Sequence, residues 1–243
     1  MSAVRRIAMW SGPRNLSTAM MRSFSSRADC FVSDEPFYAA YLKATGLDHP
    51  MRDEVMASQP QDPNAVARHI LGPVPGEKTV WYQKHMSHHM VDGFPLDWMD
   101  DVTNVFLLRA PERVLASYAQ KRESVTLADI GFEGQARLFE RVAERTGMAP
   151  VVVDSDDVRR DPEGTLSALC AAVGLDWDPA MLNWSKGPHA QDGVWGPHWY
   201  NAVYSSTGFS PPDAIGPLPD RLAQIADEAR PFYERMRGFR LGA

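Results

Sequence analysis

Short apolar runs alternate with amphipathic stretches along most of the chain. The runs, which have the composition of buried strands, cover residues 7–10, 30–33, 79–83, 104–108 and 150–153. Apolar positions recur at helical spacing between and after them, which predicts helices over 17–27, from 37, and over 65–71, 111–123, 132–145, 161–174 and 218–236. Strands that alternate with helices predict an α/β fold, in which a central, mostly parallel β-sheet is flanked by helices on both faces.

Two segments lack either pattern. Residues 48–64 are rich in Pro, Asp and Gln, which predicts a loop with little regular structure. Residues 185–217 combine prolines and glycines with several aromatic residues, which favours a long ordered loop. The chain has no internal repeat and no low-complexity linker, so we expect residues 1–243 to form a single domain.

Composition excludes several classes of protein. Lys and Arg number 25 against 31 Asp and Glu, for a net charge of −6, so a generally basic nucleic-acid-binding surface is excluded. No apolar run reaches about 18 residues, the length of a membrane span. Cys30 and Cys170 are the only cysteines, too few and too distant for a disulfide framework or a zinc site. We therefore expect a cytoplasmic protein.

The first 28 residues have a second interpretation. They contain five arginines, several serines and no acidic residue, a composition shared by organellar transit peptides. Their division into an apolar strand, a loop and an amphipathic helix favours a folded part of the domain instead.

The connection between the first strand and helix has the layout of an anion site. It reads Ser11-Gly12-Pro13-Arg14-Asn15-Leu16-Ser17-Thr18. Backbone N–H groups at a helix N-terminus point toward an anion, and an arginine adds a full charge and a fork of donors. An ordinary helix start beside a surface arginine is the alternative. The segment is not a Walker A loop, because the Gly-Lys-Ser/Thr of that motif is missing.

This loop resembles the 5′-phosphosulfate loop of sulfotransferases that use 3′-phosphoadenosine 5′-phosphosulfate (PAPS). The family form is Pro-Lys/Arg-Ser-Gly-Thr-Thr, which Pro13-Arg14-Asn15-Leu16-Ser17-Thr18 matches with two departures. Asn15-Leu16 replaces Ser-Gly, and Asn tolerates a left-handed backbone whereas Leu does not. Arg14 replaces the lysine of many members; it is a poor proton donor, so its role would be to stabilise charge. The resemblance implies that PAPS is bound by Gly12, Pro13, Arg14, Asn15, Leu16, Ser17 and Thr18.

A second segment extends the resemblance. An apolar strand at 104–108 is followed by Arg109-Ala110-Pro111 and then by a helix with Ser117 eight residues after Arg109, which is similar to the family's 3′-phosphate segment. The resemblance makes Arg109 and Ser117 ligands of the 3′-phosphate, and it implies a P-loop-like sulfotransferase fold. Residues 154–175 and the Lys-Gly and Gly-x-Trp of 186–195 are also similar to family segments. Trp195, Trp199 and Tyr200 could stack on adenine, line an acceptor pocket or pack in the core.

Two residues are candidates for the general base that takes the acceptor's proton. His85 follows Lys84 at the end of the third strand, where the family often has a lysine and a nearby histidine. Glu35 ends the second strand in Asp34-Glu35-Pro36-Phe37, which resembles the Glu-Pro-Phe/Tyr of bacterial sulfotransferases. Both stay open, with His85 slightly ahead, and Lys84 is a candidate for stabilising the leaving phosphate. His88 and His89 could add to a metal site with His85, but no acid or cysteine spacing supports one, so no metal is expected.

The resemblance therefore implies in-line transfer of a sulfuryl group from PAPS to a hydroxyl or amine of a small-molecule acceptor, without a metal. Neither a nucleic acid nor a membrane span is implied, and the acceptor and the oligomeric state are not given by the sequence. Two alternatives remain: a nucleotide-binding scaffold without turnover, and an ATP-dependent P-loop kinase, against which the missing Gly-Lys-Ser/Thr counts.

Overall fold

The computed structural model describes residues 4–119 and 125–242. In that part of the chain, five strands form one parallel sheet in the order β2-β3-β1-β4-β5. The strands are β1 Arg5–Ser11, β2 Cys30–Asp34, β3 Val80–Met86, β4 Thr103–Leu108 and β5 Val151–Asp154. This confirms the predicted α/β class with a parallel central sheet.

Helices cover both faces of the sheet. They are α1 Ser17–Ser25, α2 Tyr38–Thr45, α3 Arg52–Ser58, α4 Pro63–Leu71, α5 Pro111–Ala119, α6 Leu127–Ile130, α7 Phe132–Thr146, α8 Ser155–Arg160, α9 Pro162–Ala172, α10 Gly196–Trp199, α11 Asn201–Tyr204 and α12 Asp220–Arg237. Short 3-10 turns lie at Pro75–Glu77, Ser87–His89, Asp97–Asp101 and Pro179–Leu182. No helix among the described residues is both long and apolar enough to cross a membrane.

Side chains along the central strand β1 point alternately to the two faces of the sheet, and each set packs into one half of the core. Ile7 and Met9 face one side and pack with α1 and α9, whereas Ala8 and Trp10 face the other and pack with α4, α5, α7 and α12. All seven residues of β3 are buried. Its apolar start at 80–82 is what the sequence pattern detects, and the buried polar residues Gln83, Lys84 and His85 follow.

The helices that the sequence does not predict are short. Residues 48–64 contain α3, whose only buried residue is Val55, so one apolar contact leaves no period to detect. Helix α6 has four residues and is held by a capping box between Thr126 and Asp129. The helix expected over 111–123 is described as far as Ala119, and residues 120–124 lie outside the described residues. Helices α10 and α11 each make one turn inside the segment 185–217.

The sheet register brings separate segments to one edge. Ser11 pairs with Met86, and Asp34 pairs with Lys84. Because all five strands are parallel, the loops after β1, β2, β3 and β4 leave the sheet at the same side. Ligands bind at this edge of open parallel sheets.

Candidate functional site

The turn between β1 and α1 contains two residues with a left-handed backbone. Arg14 has φ 59° and Leu16 has φ 65°. Leu16 stands where the family motif has glycine, and a leucine side chain disfavours this left-handed conformation by roughly 1–2 kcal/mol. The expectation that a leucine does not take a left-handed backbone conformation is therefore wrong for Leu16. Asn15 anchors the turn, since its Nδ2 donates to the carbonyl of Leu107 on β4 at 2.7 Å.

The same turn is packed closely against α6. A Cβ on Gly12 would lie 2.6 Å from the carbonyl oxygen of Ile130, so only glycine fits there. Leu16 is the N-cap residue of α1, and no side-chain cap accepts a hydrogen bond from the first-turn N–H groups. Such groups at a helix start favour an anion.

The predicted phosphate residues after β1 and β4 lie together. Nη1 of Arg109 donates to the carbonyl of Arg14 at 2.7 Å, and Nε of Arg14 donates to Oγ of Ser117 at 3.2 Å. Nε of Arg109 is buried without a hydrogen-bond partner. A buried guanidinium N–H without an acceptor is costly, and a bound anion would satisfy it.

Two further arginines surround this group. Burial lowers the pKa of Arg109, and the positive charges of Arg159, Arg113 and Arg14 lower it further. Arg113 pairs with Asp156 at 2.7 Å, and Arg159 pairs with Asp213 at 3.1 Å. Among the described residues, the cluster thus contains four arginines, two of which are paired with acids. The sequence does not identify Arg113 or Arg159 as site residues, because neither lies at a fixed position in a recognised motif. Arg159 reaches the group from α8.

A second polar cluster lies at the ends of β2 and β3. Nζ of Lys84 contacts Oδ1 of Asp34 at 2.9 Å, Oε1 of Glu35 at 2.7 Å and the hydroxyl of Tyr200 at 2.7 Å. Burial would lower the pKa of Lys84, but Asp34 and Glu35 together raise it, so the ammonium stays charged. Burial raises the pKa of Glu35, and Lys84 offsets only part of that increase.

The remaining oxygen of Glu35 faces a stack of aromatic rings. Its Oε2 lies 3.9 Å from Nε2 of His89, beyond hydrogen-bond distance. The His89 ring is stacked between Tyr38 and Tyr41, each at a centroid distance of 4.7 Å. Burial lowers the pKa of His89 well below its usual value, so its ring is neutral. His88 lies beside it, with its pKa lowered by burial to about 4.

The structure does not bring His85 to this cluster. Successive residues of a strand point to opposite faces, so His85 points away from Lys84. Its ring stacks on Trp10 at 4.7 Å and lies 5.0 Å from Trp98. Burial lowers the pKa of His85 to about 3. His85 thus lies in the aromatic core, where it is a weak base. The described residues hold no group of three or more His, Cys, Asp or Glu that could bind a metal ion.

The long loop after β5 and α9 closes over the carboxylate cluster. The backbone N–H of Gly193 donates to Oδ2 of Asp34 at 2.9 Å, and Nε1 of Trp195 donates to the Tyr200 hydroxyl at 2.8 Å. Asp192 forms a buried ion pair with Arg22 of α1 at 2.6 Å. Trp195 and Tyr200 are therefore buried packing and hydrogen-bonding residues in this structure.

Comparison with known proteins gives the chain's relationships. A family described as "Sulfotransferase domain" matches residues 5–240. Two Arabidopsis thaliana proteins named branched-chain-amino-acid aminotransferase-like protein 1 and 2 are 38% and 34% identical to this chain over 232 residues. The match covers 95% of this chain but 41% of each relative, so the chain spans about two fifths of their length.

Solved structures share the fold at low sequence identity. The sulfotransferase from Alicyclobacillus acidocaldarius is 17% identical, with a TM-score of 0.51 over 98% of this chain and 96% of that chain. The sulfotransferase domain of the curacin biosynthetic pathway is 14% identical, with a TM-score of 0.51 over 94% of this chain and 99% of that chain. With a family match over nearly its whole length, the chain belongs to the sulfotransferase domain family.

Proposed function

We propose that this chain transfers a sulfuryl group from PAPS to a hydroxyl or amine of a small-molecule acceptor. The observation that carries the proposal is the convergence of Arg14, Arg109 and Ser117, with one buried guanidinium N–H of Arg109 left without an acceptor. Arginines bind phosphate groups through paired N–H donors. Arg109 and Ser117 would hold the 3′-phosphate, and Gly12 to Thr18 the phosphosulfate.

The charge that develops on the leaving phosphate is stabilised at the β1–α1 turn. In the reaction, the bond between sulfur and the bridging oxygen breaks, and its electron pair stays on the phosphate. Arg14 and the N–H groups at the start of α1 supply fixed positive charge there. This mode of catalysis depends on positioning and electrostatics, as in phosphoryl transfer.

Glu35 is the base that we assign. As the new bond to sulfur forms, the acceptor's proton passes to Oε2 of Glu35, while Oε1 stays bound to Lys84. A carboxylate whose pKa is raised by burial accepts a proton more readily near neutral pH. His85 does not take this role, because it lies among aromatic rings and is a weak base.

Removing either predicted phosphate arginine tests the assignment. We expect Arg14→Ala and Arg109→Ala each to weaken binding of 3′-phosphoadenosine 5′-phosphate (PAP) by about 10- to 150-fold, the value of one hydrogen bond to a charged group. Calorimetric titration measures the affinity. Arg137→Ala is the matched control, because Arg137 is an exposed arginine that pairs with Asp92 at 3.2 Å. Unchanged affinity in both site variants would refute the assignment.

A further inference from the structure

Tyr200 reaches the centre of the carboxylate cluster from a distant part of the chain. It lies between α10 and α11, 116 residues from Lys84 in sequence. Its hydroxyl donates to Oδ2 of Asp34 at 2.7 Å and accepts from Lys84 at 2.7 Å and from Trp195 at 2.8 Å. The one donor and both acceptor positions of the Tyr200 hydroxyl are therefore occupied by protein groups.

All three N–H donors of the Lys84 ammonium are occupied as well. An ammonium has three N–H donors, and here they go to Asp34, Glu35 and Tyr200. If Lys84 turned toward a phosphate, it would leave a buried carboxylate without a counter-ion, which is strongly unfavourable. The expected role of Lys84 at the leaving phosphate is thus at odds with its contacts, which tie it to Glu35.

We propose that Asp34 and Tyr200 are positioning residues that hold Lys84 against Glu35, so that Oε1 of Glu35 is fixed and Oε2 is left to take the acceptor's proton. The proposal rests on the role proposed for Glu35 above. It assigns a function to the loop as well, because Gly193, Trp195 and Tyr200 all bind this network. Folding of that loop onto Asp34 completes the environment of the base.

The alternative is that this network only stabilises the fold. The chain offers a matched control for that alternative. Tyr233 on α12 donates to Oδ2 of Asp154 at 2.8 Å, a buried tyrosine–aspartate bond outside the cluster. Tyr233→Phe and Tyr200→Phe therefore delete the same hydroxyl from similar bonds, and only Tyr200→Phe changes the surroundings of Glu35.

The readout is the titration of the Glu35 carboxyl itself. It is followed by NMR of protein labelled with ¹³C at glutamate carboxyls, with the signal assigned from Glu35→Gln. The charged and titratable groups that face Glu35 are Lys84, Asp34, His89, Tyr38 and Tyr200. The charge and hydrogen bond of Lys84 lower the pKa of Glu35, whereas the charge of Asp34 raises it.

We expect Tyr200→Phe to move the Glu35 titration midpoint upward by about 0.5–1 pH unit, because Lys84 loses its contact with the hydroxyl and is held less closely against Oε1 of Glu35. Asp34→Asn should move it downward, and Tyr233→Phe should leave it in place. The proposal is overturned if the midpoint is the same in Tyr200→Phe, Asp34→Asn and the wild type, or if Tyr233→Phe shifts it equally.

PAP titration of the same samples separates this inference from the proposed function. We expect PAP affinity in Tyr200→Phe to equal that of the wild type, because the arginine cluster is not touched. If the wild type fails to bind PAP, the proposed function fails, while the carboxyl titration still reports whether the network controls Glu35. If PAP binds normally and the midpoint does not move, the positioning role alone is refuted.

Discussion

Burial changes which side chains carry charge near neutral pH. His85, His88 and His89 have lowered pKa values and are neutral, so they supply neither a cation nor a strong base. Lys84 keeps its proton because two carboxylates surround it. The charge in this cluster is therefore carried by Lys84, Asp34 and Glu35.

The placement of His85 has a measurable consequence for stability. The unfolded chain binds a proton at this histidine below about pH 6.5, whereas the folded protein resists protonation until about pH 3. Stability is therefore present above pH 6.5 and is lost as pH falls. Between pH 7 and pH 5, His85 should account for ~2 kcal/mol of the loss in the free energy of unfolding.

His85→Phe tests this effect by urea denaturation at both pH values. The variant keeps an aromatic ring beside Trp10 and Trp98 but cannot take up a proton. We expect its stability to fall by ~2 kcal/mol less than that of the wild type between pH 7 and pH 5. An equal fall in the two proteins would place His85 in a solvated site instead.

A candidate site residue can be predicted from the sequence when it belongs to a short motif, and cannot when only the fold brings it to the site. Arg14, Arg109 and Ser117 belong to short motifs with fixed spacing, so the sequence alone predicts that they come together. Tyr200 and Arg159 carry no such signal, because the fold brings each to its cluster, Tyr200 from the segment between α10 and α11 and Arg159 from α8. The contacts of Lys84 are not predictable from the sequence for a related reason, since Tyr200 takes its third hydrogen-bond donor.

The β1–α1 turn and α6 form one packed unit at the scale of elements. Gly12 lies against the carbonyl of Ile130, and a Cβ on Gly131 would lie 3.7 Å from both Gly12 and Pro13. The shape of the β1–α1 turn therefore depends on a four-residue helix that periodicity does not reveal. The strands are predicted well because each contains a short apolar run, such as 7–10 in β1 and 105–108 in β4.

Gly12→Ala tests that dependence. The added methyl group would meet the Ile130 carbonyl at 2.6 Å, and backbone cannot move aside cheaply. We expect a loss of about 1–3 kcal/mol in the free energy of unfolding, together with weaker PAP binding. Urea denaturation and calorimetry measure the two effects.

The control for Gly12→Ala is Gly134→Ala in α7. A Cβ there would meet nothing nearer than the Ser87 carbonyl at 3.8 Å, so the substitution should be neutral or should stabilise the helix. If the two alanine variants behaved alike, close packing of the turn against α6 would not be what shapes the loop.

At the scale of the whole molecule, the sheet edge separates two kinds of charge. Arginines gather after β4 and around the β1–α1 turn, and carboxylates gather after β2 around a single lysine. The chain has a net charge of −6, so this arginine group is a local excess within an acidic protein. The proposed function assigns the nucleotide to the first region and the acceptor to the second.

The most direct test of the proposed activity is calorimetric titration of the wild-type protein with PAP, beside AMP and ATP with Mg²⁺. The account predicts that PAP binds without Mg²⁺ and at least about tenfold more tightly than AMP, because only PAP carries the 3′-phosphate that Arg109 and Ser117 would hold. No binding of PAP would contradict it, and a preference for ATP with Mg²⁺ would contradict it and favour a kinase.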